Sequence, residues 1–466
     1  MASRIKNMTD GKPASLIFTF ALPLMIGNVF QQLYTVVDTM VVGKGLGVSA
    51  LAALGAADWM NWLMLGVIQG ITQGFGILMA QEFGAGKYAD LRKTIGCSVV
   101  LSLLSSIILL CIGQAAARPV LELLQTPPEI IGNSLLYLRI MYLGIPVVMS
   151  YNLFATVLRS LGDGRTPLHA MIVAAITNIV LDLLFVLVLG FGISGAATAT
   201  LIAQLISSLY CLFHIRRIEI LKLVSSDYSL NGQLSAKLLM LGFPMAFQNA
   251  IISVGGMIVQ FVVNGFGVIF IAGFTATNKL YGVLEAAATS YGYAMVTYSG
   301  QNLGAGRTDR IRQGTRAALL IALVTSALIA AVMLLGGKAI LSCFISGTPE
   351  EFEQTLQIAY YYLAIMSICL PVLYVLHVTR STIQGMGNTV LPMVSGIAEF
   401  VMRALTAILL PMIIGETGIF YAEITAWMGA DVILVSSYFV VVKKSEKMLS
   451  DKRMTATLPK ANDLSL

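Results

Sequence analysis

Charge is what this sequence has least of. Asp, Glu, Lys and Arg supply 11% of its 466 residues, against about 25% in an ordinary soluble domain. A soluble chain of this length could not cover its surface with so few charges. Histidine is scarce too. His169, His214 and His377 are scattered, and no HExxH, GxSxG or metal-ligand cluster accompanies them, which argues against a membrane enzyme. The five cysteines (Cys97, Cys111, Cys211, Cys343 and Cys369) lie in or beside apolar runs, without a CxxC or a nearby histidine. They read as small hydrophobes, neither disulfides nor a metal site. A cleavable signal peptide is not evident either. The apolar run after Arg4, Lys6 and Lys12 continues to Val42, beyond the roughly 7–15 residues of a signal core.

What the sequence does have is apolar length. Hydrophobic residues make up 57% of it, there are 43 glycines, and mean hydropathy is +0.84. This is the composition of a polytopic membrane protein. A spanning helix needs about 20 apolar residues. Twelve segments qualify, at 14–42, 50–82, 92–116, 129–158, 166–190, 193–215, 236–264, 269–303, 311–335, 352–383, 389–413 and 417–442. The break between the fifth and sixth rests on Gly190, Gly192 and Gly195. The expected fold is all-α, with twelve transmembrane helices.

The basic residues give an orientation. Of 29 Lys and Arg, 23 fall at the N-terminus, in the even-numbered loops or in the C-terminal tail, with Arg380 counted in the tenth loop. Only Lys44, Arg118 and Lys338 fall in the odd-numbered loops, and Arg139, Lys279 and Arg403 lie inside segments. The asymmetry predicts that both termini are cytoplasmic. The net charge of +6 is then a topology signal and does not point to nucleic acid. The polar tail, 443–466, is expected to be a disordered extension near anionic headgroups.

The two halves repeat. Gln81-Glu82-Phe83-Gly84-Ala85-Gly86-Lys87 recurs as Gln301-Asn302-Leu303-Gly304-Ala305-Gly306-Arg307, 220 residues on. Leu22-Pro23 recurs as Phe243-Pro244. Pro146 and Pro167 recur as Pro371 and Pro392, and Gly162-Asp163 as Gly387-Asn388, all at an offset of 225. Two six-helix lobes are expected, 1–215 and 236–442, joined by a cytoplasmic loop at 216–235. Six is even, so the lobes insert in the same orientation and are related by a pseudo-two-fold axis along the membrane normal. A cleft between them near the midplane suits alternating access and disfavours a passive channel.

Seven acids fall inside the segments: Asp38, Asp58, Asp182, Glu285, Glu399, Glu423 and Asp431. Each costs about 2.5–3.5 kcal/mol on insertion scales, so each is a functional candidate. Asp182 stands out because Asn178 lies one turn earlier on the same face. An amide and a carboxylate so spaced offer hard oxygens to a small cation, or tune a protonatable acid. Asp38 sits near Gln31, Gln32 and Tyr34 in the first segment. Two facing carboxylates repel, and a cation or proton relieves the repulsion. A hydrogen-bonded structural acid is the competing reading. Glu399 and Arg403, four apart, read as a structural ion pair. Glu285 is a candidate cleft residue, and Asp58 reads as solvated at a helix mouth. At the 225 offset Asn178 maps to Arg403, Asp182 to Ala407 and Thr200 to Thr425. A cation site is therefore expected in the first half only. Pro23 and Gly27 mark a bendable point in the first segment. The 23 methionines suit a pocket that accepts many shapes.

Together these motifs resemble the multidrug and toxic compound extrusion family, over about residues 10–445. The resemblance implies an antiporter that exports organic cations or amphipathic drugs in exchange for Na⁺ or H⁺, from a bacterial inner membrane, as a monomer and without a resident cofactor. It assigns the coupling cation to Asp38, Asn178, Asp182 and Thr200. Gln31, Tyr34, Asn152, Gln248 and Glu285 are expected to line the substrate cavity, and Pro23 and Gly27 to form the hinge. The sequence departs from the NorM group at Gln248, where that group carries an acid, and looks closer to DinF-like and other bacterial branches. A lipid-linked oligosaccharide or precursor flippase of the wider superfamily is the alternative. Its usual cationic cavity is thinly represented, by Arg139, Lys279 and Arg403 alone.

Overall fold

Long apolar runs whose backbone must satisfy itself in lipid leave helices as the available structure. The computed structural model describes residues 5–345 and 348–457, and every regular element among them is helical. The first half contains α1 (Pro13–Leu46), α2 (Val48–Gly84), α3 (Tyr88–Leu123), α4 (Pro128–Leu143), α5 (Ile145–Ser160), α6 (Arg165–Asp182) and α7 (Gly192–Arg216). The second contains α8 (Gly232–Val263), α9 (Val268–Gly304), α10 (Thr308–Ser342), α11 (Pro349–Gly385), α12 (Val390–Ile414) and α13 (Ala422–Thr457).

α4 and α5 are one passage bent by 48°. The bend falls at Gly144, just before Pro146, whose missing N–H removes a helix hydrogen bond. Counting the pair once gives twelve long helical units among the described residues, six in each half, of which eleven are long and apolar enough to cross a membrane. A second irregularity follows Asp182, where Leu183–Val188 widens into a π-helix. Gly190 and Gly192 then turn the chain with φ of +66° and +62°.

The repeat survives as geometry. Gly86 and Gly306 both have φ +70°. The Ala85 amide donates to the Gln81 carbonyl at 2.9 Å, and Ala305 to Gln301 at 3.0 Å. Gly162 and Gly387 have φ of +82° and +86°. After each comes a helix cap. The Asp163 carboxylate accepts from the Arg165 and Thr166 amides, and Asn388 Oδ1 accepts from the Leu391 amide. Such caps satisfy amides that have no partner within the helix.

The halves meet through small residues. A methyl group on Gly74 would overlap the backbone of Gly242, and one on Gly70 the backbone of Ala246. At the end of this seam the last glycine of α2 and of α9 touches the other half's glutamine, Gly84 against Gln301 and Gly304 against Gln81. Gln301 Nε2 donates to the Ser160 carbonyl at 2.8 Å, and Gln81 Nε2 to the Gly385 carbonyl at 3.1 Å. This face is sealed. Toward the opposite ends of the same helices, Asp58 on α2 and Lys279 on α9 stand exposed.

Three sequence expectations change. Arg380 is no loop residue; it lies inside α11 and is buried. Arg139 and Lys279 are exposed, so the buried bases among the described residues are Arg310, Arg380 and Arg403. The start of the polar tail is helical, because α13 continues to Thr457 and Glu446 on it pairs with Arg312 of α10 at 2.8 Å. Residues 458–466 lie outside the described residues.

Candidate functional site

Three helices of the first half bring together the four residues expected to bind a cation. α1 carries Asp38, α6 carries Asn178 and Asp182, and α7 carries Thr200. Asn178 is 1% exposed and Asp182 fully buried. Asn178 Nδ2 donates to Thr200 Oγ1 at 3.4 Å, while the Thr200 hydroxyl donates to the Ala196 carbonyl. The Asp38 and Asp182 side chains are close enough to act on each other electrostatically. The amide nitrogen of Asn178 is thus engaged, and its oxygen is left buried without a partner.

The unsatisfied atoms define the chemistry. Asp38 Oδ1, both oxygens of Asp182, Asn178 Oδ1 and Gln204 Oε1 are buried without a hydrogen-bond partner. Buried polar atoms are normally paired, and a group of orphans needs an explanation. All five are oxygens, three of them on carboxylates. They can accept from a shared proton or coordinate a small hard cation. Two carboxylates this close cannot both keep a full charge without a positive partner. Among the described residues no group of three or more His, Cys, Asp or Glu side chains gathers to hold a metal ion. The two-carboxylate set with neutral oxygens fits a proton or a monovalent ion.

Gln204 was not among the expected residues. It lies four positions after Thr200 on α7, so the helical spacing that links Asn178 to Asp182 points to it equally well. Tyr34, half-buried, lies near Gln31 and Gln204 and within electrostatic range of both acids, so two expected cavity residues belong to the same neighbourhood. The π-helix after Asp182 was not foreseen either. Such wide turns are frequent at functional sites, but a run of Leu and Val gives no periodic sign of one.

The remaining cavity candidates lie apart from this cluster. Asn152 on α5 is 8% exposed, and its amide donates to the Val148 carbonyl one turn back. Gln248 on α8 is buried and accepts from Gln384 Nε2 of α11 at 3.2 Å, against Gly396 of α12. Glu285 on α9 is half-exposed and stands 3.5 Å from His377 Nε2. In α1, Pro23 sits inside an unbroken helix. Gly27 has a packing role as well, since a methyl there would come within 3.0 Å of Met171 Sδ.

The Glu399–Arg403 pair is present at 3.1 Å, but it is the middle of a longer chain. Arg380 meets Glu399 at 2.6 Å, and Arg403 meets Glu423 at 2.6 Å. Arg403 also donates to the Ile252 carbonyl of α8. In the second half fixed cations pair Glu399 and Glu423, although Asp431 Oδ1 on α13 is buried without a partner there too.

Known proteins share this architecture. The MatE family profile matches residues 23–184 and 244–409. The chain is 32% identical to the probable multidrug resistance protein YpnP of Bacillus subtilis, over 66% of this chain and 68% of that one. It is 24% identical to the probable multidrug resistance protein NorM of Thermotoga maritima, over 96% and 95%. A solved outward-facing conformation of a multidrug resistance MATE family transporter superposes with a TM-score of 0.88 at 20% identity, over 96% of this chain and 99% of that one.

Proposed function

We propose, from the premise that this chain belongs to the MatE family of membrane transporters, that it is a secondary multidrug antiporter of the bacterial cytoplasmic membrane. It exports organic cations or amphipathic drugs in exchange for Na⁺ or H⁺. The observation that carries this reading is the group of five orphaned oxygens around Asp38 and Asp182. An ion-coupled carrier needs a buried site whose charge is balanced only when the coupling ion is present, and this cluster has that property.

The lobes 1–215 and 236–442 move against each other about the small-residue seam, with 216–235 as the cytoplasmic connection. The sealed face carries Lys87, Arg307 and the other loop bases, and so faces the cytoplasm together with both termini. The conformer described is then open to the outside. Na⁺ or H⁺ enters from there and binds Asp38 and Asp182, with Asn178 and Thr200 completing the site. Occupancy removes the repulsion between the two carboxylates and changes how α1, α6 and α7 pack, and substrate leaves outward. Gln31, Tyr34, Asn152, Gln248 and Glu285 serve the substrate path. Membrane potential favours inward cation movement by about 2.3 kcal/mol per charge per 100 mV. The carrier works as a monomer, and its one non-protein requirement is the coupling ion. The flippase reading loses support because Arg380 and Arg403 are committed to acids and Arg310 to main-chain carbonyls.

The test is efflux of a fluorescent organic cation from vesicles, with a pH gradient and a Na⁺ gradient imposed separately. One of the two should drive accumulation against the substrate gradient. If neither does, antiport is wrong.

A further inference from the structure

The segment before α1 is tied to both halves. The Lys6 amide donates to the Leu161 carbonyl of the first half at 3.2 Å, and Gly162 lies so close to the Lys6 carbonyl that a methyl there would overlap it. Two residues on, the partners belong to the second half. The Met8 amide donates to Gln301 Oε1 at 2.8 Å, and its carbonyl accepts from Asn302 Nδ2 at 3.0 Å. Arg310 Nη2 donates to the Gly11 carbonyl at 2.9 Å and lies 3.4 Å from the Met8 carbonyl. Met8 itself is fully buried.

We propose that residues 5–11 are a latch that holds the two halves together on the sealed face and must release for that face to open. Two features set it apart from an ordinary docked terminus. The first is Arg310, which is 7% exposed and forms no ion pair among the described residues. Its guanidinium is satisfied by Asn302 Oδ1 and by the carbonyls of the strap. If the strap leaves while the face stays shut, a buried charge loses its two carbonyl partners and keeps only Asn302 Oδ1, which is costly. If the face opens at the same time, water replaces them. Strap release and face opening are therefore linked as one two-state change. The second feature is continuity, because the strap runs directly into α1, the helix that carries Asp38. A shift of α1 on ion binding pulls on the strap.

The repeat supplies an internal comparison. At the 220 offset Gln301 corresponds to Gln81, but Asn302 and Arg310 correspond to Glu82 and Asp90, which cannot donate to a carbonyl. There the chain before α8 takes another route, with Asp227 packed on Gly96 of α3. At the corresponding place Gln81, Lys237, Gly387 and Asn388 line a surface recess of about 530 Å³ on the otherwise closed face. The seam is pseudo-symmetric and the latch is single.

This inference rests on the alternating-access reading, and its test is kept separate from transport. In a background without native cysteines, Lys93→Cys and Gln313→Cys place spin labels at corresponding exposed positions of the two halves on the sealed face. Double electron–electron resonance in nanodiscs, with no substrate or gradient, should show one short separation for the full strap. Deleting residues 2–11 should raise a longer-distance population about tenfold relative to the short one. If the deletion does not fold, Asn302→Ala with Arg310→Met, which removes strap contacts and leaves the Gln301–Ser160 bond in place, should give the same shift. An unchanged distribution in either folded variant overturns the proposal. Conversely, a disulfide between Met8→Cys and Asn302→Cys should reduce efflux about tenfold, reversibly on reduction, by holding one state. Undiminished efflux by the oxidised carrier overturns it as well. Failure of gradient-driven efflux in the parent protein would count against antiport and leave the distance result standing.

Discussion

Gly84 lies against the main-chain carbonyl of Gln301, with no room between them for a methyl group. Gly304 stands in the same relation to Gln81, so the two repeats close on each other reciprocally. Gly84→Ala and Gly304→Ala should each push the sealed face apart. Overpacking of this kind costs about 1–3 kcal/mol, here charged to one conformer. Gly86→Ala has open space around it but a φ of +70°, so its cost is local backbone strain of about 1–2 kcal/mol. Gly55→Ala, with open space and no positive φ, should be silent. Thermal melting and the spin-label separation across the sealed face separate these cases. Only Gly84→Ala and Gly304→Ala should lengthen the separation.

The acid pair gives the sharpest functional expectation. Asp182→Asn removes one of the two carboxylates that a cation or proton must balance, and should abolish gradient-driven efflux while the protein remains folded. Asp38→Asn should do the same. Asn178→Ala, Thr200→Ala and Gln204→Ala each remove a neutral oxygen or its support. They should weaken apparent ion affinity about tenfold, the effect of one lost hydrogen bond or ligand to a charged group. The check is efflux rate against Na⁺ concentration or external pH in the same vesicles. Efflux that survives intact in Asp182→Asn would remove the site from the mechanism. A loss of ion dependence in Gln204→Ala alone would show that α7 contributes more than Thr200.

How far the sequence could be read depended on the period of the signal. Apolar length and loop charge located twelve passages, since lipid leaves the backbone few choices. The i, i+4 spacing joined Asn178 to Asp182 on one face. The contact with Asp38 needed tertiary packing of α1, and came from resemblance and charge scarcity together. The ion chain was only half legible. Glu399 and Arg403 share a helix and announce each other, whereas Arg380 and Glu423 reach them from α11 and α13, and no spacing links separate helices. Arg380 is counted with the tenth loop although it stands within the end of the 352–383 segment, beside Ser381, Thr382 and Gln384. They are buried polar residues in a helix that packs on α9. The strap was invisible, because a short irregular segment that turns at Met8 and Thr9 and is held through main-chain groups leaves no side-chain pattern.

The hinge is testable apart from the site. Pro23 removes one hydrogen bond from within α1, and Gly27 fits under Met171 and Leu168 of α6. Pro23→Ala should restore a helical hydrogen bond and leave thermal stability equal or higher, while slowing efflux if bending of α1 is a step in the cycle. Gly27→Ala meets the flexible end of a methionine at 3.0 Å, which can move aside, so a mild effect on both is expected. Gly27→Leu should be destabilising. An unchanged turnover in Pro23→Ala would show that the kink serves packing alone.

Arg403 is the residue whose loss should cost most in stability. It is 4% exposed and bridges Glu399 and Glu423 while donating to the Ile252 carbonyl. Arg403→Ala leaves Glu399 with Arg380, but strands Glu423 in a half-buried place without its cation. Breaking a buried pair from one side costs about 3–5 kcal/mol, because an uncompensated charge remains. Removing both sides is cheaper, so Arg403→Met with Glu423→Gln should recover most of the loss. Unfolding in detergent, followed by melting temperature, reads this directly as a double-mutant cycle. The double variant also asks whether the network takes part in transport. A structural brace predicts that the refolded double variant keeps both its efflux and its ion dependence. If stability returns and efflux does not, the charges of α12 and α13 act in the transport cycle, and the second half contributes more than a scaffold.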